Sequence, residues 1–63
     1  MTIIFTPERV TKNTIRFAEV LQNETDTPKV GSLYVPKATL GVMGWSDGKK
    51  IAVEFNVEGT DGN

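Results

Sequence analysis

Between residues 49 and 58 the chain alternates with a period of two: Ile51, Val53, Phe55 and Val57 are large and apolar, and Ala52, Glu54, Asn56 and Glu58 between them are small or polar. That pattern predicts a strand with one face buried and one facing water. Three of the inward residues are β-branched and one is aromatic, which suits a pleated surface. Immediately upstream stands Asp47-Gly48, the preferred composition of a two-residue type I′ hairpin turn. With Asp47 and Gly48 as the loop, Trp45 falls opposite Lys50, Met43 opposite Ala52, Val42 opposite Val53 and Leu40 opposite Phe55. Ala38, Leu40 and Val42 then share a face with Val53, Phe55 and Val57. The expectation is a central hairpin, 38–45 paired with 49–58.

The remaining segments read as further strands. Residues 2–5 form a short β-branched and aromatic run. Thr6-Pro7-Glu8 has the composition of a helix start, with Thr6 as cap and Pro7 in the first turn. Yet Thr11, Asn13, Thr14 and Ile15 are indifferent helix formers. A strand over 14–21 is the better reading, placing Ile15, Phe17 and Leu21 on one face and Arg16 on the other, with 6–13 as a turn that has room for one helical turn. Glu19 breaks this pattern and must sit at an edge or pair with a cation. Residues 22–28 form a polar loop, 29–35 another strand, and Pro36 marks a bend. The fold class expected is all-β: a small antiparallel sheet of about four strands, as a meander, a barrel-like sheet or a sandwich formed by dimerisation. Residues 1–58 make one domain, and 59–63 are expected to be a flexible tail.

A chain of 63 residues buries only about 60% of the surface its unfolded form exposes, so it needs additional stabilisation. There is no Cys and no His, which removes disulfides, the common zinc constellations and nucleophilic triads based on those residues. Self-association is the remaining common route, and a homodimer is expected. Seven Lys and Arg against eight Asp and Glu give a net charge of -1, too balanced to name a partner. With no targeting pattern and no apolar run long enough to span a bilayer, the expected location is the cytoplasm.

Catalytic chemistry finds little support. Glu54 and Glu58, four residues apart on one strand, would be separated by roughly 13 Å, too far for a paired acid and base. No phosphate loop, metal-ligand spacing or cofactor motif is present. The expectation is a non-enzymatic interaction or accessory protein without a cofactor, acting on a protein partner that the sequence does not name. The hairpin register puts Met43, Trp45 and Ala52 opposite the core stripe, with Lys50 beside Trp45. Together with Tyr34 these residues form the expected interaction surface. The alternative is a single-stranded nucleic-acid binder that stacks bases on Tyr34 and Trp45 and uses Arg16, Lys37 and Lys50 as cations.

Lys12-Asn13-Thr14-Ile15-Arg16-Phe17-Ala18-Glu19 and Gly31-Ser32-Leu33-Tyr34-Val35-Pro36-Lys37 resemble segments of small, mostly uncharacterised β-rich proteins of bacteria and their phages. The resemblance covers about a quarter of the chain and agrees with strands in both places. It carries over no activity, cofactor or site residues.

Overall fold

A computed structural model of the chain describes residues 1–58; the expected tail at 59–63 lies outside them. The elements run β1 (Thr2–Val10), β2 (Thr14–Glu19), β3 (Ser32–Pro36), α1 (Lys37–Met43) and β4 (Ile51–Glu54). The four strands form one antiparallel sheet in the order β3-β2-β1-β4, curled into a half-barrel. The all-β, four-stranded expectation therefore holds.

β1 and β2 form a hairpin whose tip, Thr11 to Thr14, is tied by the Thr11 amide and hydroxyl, both donating to the Thr14 carbonyl at 2.9 and 2.8 Å. β1 runs well past residue 5 and includes Pro7, so the helix start suggested by Thr6-Pro7-Glu8 does not form. A Pro is tolerated there because β4 pairs only with Thr2 to Phe5, leaving the second half of β1 as an edge on that side. The ladder also shifts between Pro7 and Arg9, which sets the consecutive residues Glu8 and Arg9 beside Arg16. In β2, Ile15 and Phe17 are buried and Arg16 lies on the other face, as the alternation predicts.

The central hairpin is the expectation that fails. Residues 37–43 are helical, and β4 pairs with β1 (Ile3 opposite Val53, Phe5 opposite Ile51) instead of with 38–45. Three apolar residues spaced by two fit a strand, but so short a run also fits one helical turn with a single buried position. Here that position is Leu40, 1% exposed, whereas Val42 is 90% exposed. Pro36 in an extended conformation starts α1 and Gly44, at φ 79°, ends it. The Gly44 amide donates to the Gly41 carbonyl and the Trp45 amide to the Leu40 carbonyl, a Schellman closure. That closure brings Trp45 back over Leu40 and onto the core.

The Asp47-Gly48 turn does exist, with the Lys49 amide donating to the Ser46 carbonyl at 3.2 Å. Its backbone explains why it builds no hairpin. Type I′ needs positive φ at both central residues, and among the described residues only glycines have it, Gly48 at 84°. Positive φ at the third position alone fits a type II turn, whose twist does not feed two paired strands. The strand ends at Glu54, but the alternation from residue 51 continues through Phe55, half-buried beside Phe5 with ring centroids 6.3 Å apart, and fails only at Val57, which is fully exposed.

Six side chains are buried among the described residues, Ile3, Phe5, Ile15, Phe17, Leu40 and Ile51, with Phe5, Phe17 and Leu40 fully so. Leu33, Val35, Trp45, Val53 and Phe55 pack around them. The strand residues among them lie on the concave face of the sheet, with Leu40 of α1 and Trp45 packed over them. Among the described residues no helix or second sheet covers the convex face.

Candidate interaction surfaces

Four of the five residues expected to form an interaction surface come together. Met43, Trp45, Lys50 and Ala52 line one open groove together with Gly44, Ser46, Lys49 and Ile51. The expected reason for their meeting is nevertheless incorrect, because no 38–45 strand places them on a common face. Met43 stands at the end of α1, and Ala52 is on the convex face of β4, opposite Ile4. Trp45 belongs to the core side. Its ring meets Phe17 edge-on at 6.0 Å and 78°, and its Nε1 donates to the Lys49 carbonyl at 2.7 Å. The groove therefore follows the free edge of β4, touching both faces of the sheet. Met43 is 56% exposed there.

Tyr34, the fifth residue, is elsewhere. It stands on the convex face of β3, directly across from Arg16, which in turn is across from Arg9. Tyr34 and Arg9 are exposed, and Arg16 is half-buried. The Arg16 Nη2 is paired with the Glu8 carboxylate, while its Nε is buried without a hydrogen-bond partner. The Tyr34 hydroxyl, and after it Glu8, favour the charged guanidinium and raise its pKa further. Lys37 begins α1 beside this row, its amide donating to the Asn13 carbonyl at 2.8 Å, next to Lys12 at the hairpin tip. Of the five residues expected to contact nucleic acid, Arg16, Tyr34 and Lys37 thus share one surface. Trp45 and Lys50 lie in the groove at the other edge.

The sequence pattern misses what Glu19 does. Its Oε1 accepts from three consecutive backbone amides, Lys29 at 2.9 Å, Val30 at 2.7 Å and Gly31 at 3.0 Å. No cation is needed, because the returning loop supplies a nest of donors. The Val30 and then the Gly31 amide lower its pKa. The only foreshadowing in the sequence is Gly31, whose φ of 89° turns the amides inward. Glu54 is likewise engaged, accepting from the Met1 amino group at 2.7 Å and from the Thr2 hydroxyl; those contacts lower its pKa.

The chain matches no family model, no curated protein and no solved structure. Among the described residues, no group of three or more His, Cys, Asp and Glu is placed to hold a metal ion, and no helix is long and apolar enough to cross a membrane.

Proposed function

We propose that this chain is a non-enzymatic interaction protein that works as a homodimer joined along the free edge of β4. The observation that carries the reading is the groove of Met43, Trp45, Lys50 and Ala52 beside that edge. An edge strand presents a row of unpaired amides and carbonyls, a template for a second strand. Pairing β4 with its own copy is isologous and closes on itself, so it makes a dimer and not a fibre. The two half-sheets would become one eight-stranded sheet, and each Met43 would be covered near the seam. Burying such a side chain contributes about 1.5–3 kcal/mol, a large share of the stability of a domain with six buried residues. On this reading the first partner is a second copy of the chain, and an accessory role is consistent with a dimer that leaves its convex face and β3 edges open.

Sedimentation at micromolar concentration is expected to give about twice the 6.9 kDa chain mass. Met43→Lys and Ala52→Lys, at exposed positions, should move the protein toward monomer and lower its thermal midpoint. A wild type that sediments as a monomer over the whole accessible range contradicts the reading.

A further inference from the structure

The near-neutral sequence conceals a segregation of charge along the strands. Arg9, Lys12, Arg16 and Lys37, four of the seven cationic side chains, gather where β1 ends, β2 begins and α1 starts. Among the described residues the one carboxylate paired into this group is Glu8; Asp47 lies on the core side, in the mouth of the half-barrel with Lys37. Among the described residues Arg9, Lys12 and Lys37 make no ion pair. Glu19, Glu24, Asp26, Glu54 and Glu58 lie at or beyond the opposite strand ends. Within the basic group, Arg9 and Arg16 are direct cross-strand neighbours on the convex face. Like charges placed so are destabilising by themselves, and one carboxylate between two guanidinium groups offsets only part of that. Next in the same row is Tyr34, 61% exposed.

We infer that this row, Tyr34–Arg16–Arg9, flanked by Lys12 and Lys37, is a binding site for a single-stranded phosphodiester chain. Arginine forks and lysines take up consecutive phosphates, and the tyrosine ring supplies a platform for one base. An acidic peptide would satisfy the cations, but it has no use for an exposed aromatic ring beside them. The convex face suits a single strand because it is open and lacks the deep groove that would exclude bases. The site crosses β3, β2 and the end of β1 beyond the Thr2–Phe5 segment that pairs with β4, so it does not depend on the dimer; a dimer would carry two.

The probe is a fluorescein-labelled oligothymidylate, titrated by anisotropy against the full chain at several salt concentrations. Neutralising three or four phosphates gives a slope of log K against log salt of about -2 to -3. The triple variant Arg9→Ala/Lys12→Ala/Lys37→Ala, with only exposed side chains changed, leaves Arg16 alone and should reduce that slope to about -0.7. Tyr34→Ala should weaken binding at least about fivefold while leaving the slope as it is, which a purely electrostatic surface would not do. Lys29→Ala, at the acidic end, should bind as the wild type does. Absence of binding at low salt, equal competition by polyglutamate, or binding unchanged in the triple variant would each overturn the assignment. Circular dichroism of each variant separates loss of the site from loss of the fold.

Discussion

In β2 a carboxylate stands at the core-side parity of the strand, two residues beyond Phe17, and the structure uses it to hold the 20–31 loop. The ionised form of Glu19 accepts the three amide bonds best, so its pKa in the folded chain is lowered. A group with a depressed folded pKa contributes stability that is fully present above the unfolded value, about 4.5, and is lost as pH falls through the folded value. Glu19→Gln should therefore lower the thermal midpoint at pH 7 and narrow the gap to wild type as pH drops below about 4. Equal midpoints at pH 7 would show that the nest contributes nothing. Leu40 gives the complementary case of a single apolar anchor. Leu40→Ala should cost about 2–5 kcal/mol in denaturant unfolding, since this side chain alone from α1 is buried in the core.

Strands that carry their own pattern are legible in the sequence. The alternation of Ile15, Arg16 and Phe17, and of Ile51, Ala52 and Val53, fixes which faces are buried. What local patterning cannot supply is the partner. β4 pairs with β1, some fifty residues earlier in the chain, and no turn residue announces a pairing that distant. The identity of α1 was open to reading at Gly44, because a glycine four residues after a leucine, followed by an aromatic residue, is the composition of a Schellman closure. Asp47-Gly48, three residues on, carries a competing hairpin signal. Two substitutions probe these turns. Gly44→Val and Gly48→Val each force a β-branched residue into positive φ, at a cost of about 1–2 kcal/mol or more. Gly44→Val should in addition reduce the helical circular dichroism and expose Trp45, with a red-shifted emission. Unchanged emission would mean that the closure does not seat the indole.

At the scale of the whole molecule, the sheet has one covered face, two free edges and charges sorted toward its ends. The site residues were partly legible for this reason: apolar and aromatic residues near a turn gather wherever that segment folds back, so Met43, Trp45, Lys50 and Ala52 met even though the hairpin did not form. The Tyr34–Arg16–Arg9 row depends on the β1 bulge and on which strands neighbour β2, neither of which is written in local pattern. The β4 seam is the claim on which the quaternary arrangement rests, and the natural absence of Cys makes it open to a clean test. With Ala52→Cys placed on β4 and Ser32→Cys on β3 as the opposite-edge control, each variant is oxidised at micromolar concentration and resolved by non-reducing electrophoresis. A covalent dimer that forms readily through residue 52 and only at the diffusion-limited background through residue 32 is the expected result. Comparable cross-linking at both edges, or a persistently monomeric Ala52→Cys, would contradict a dimer joined along β4.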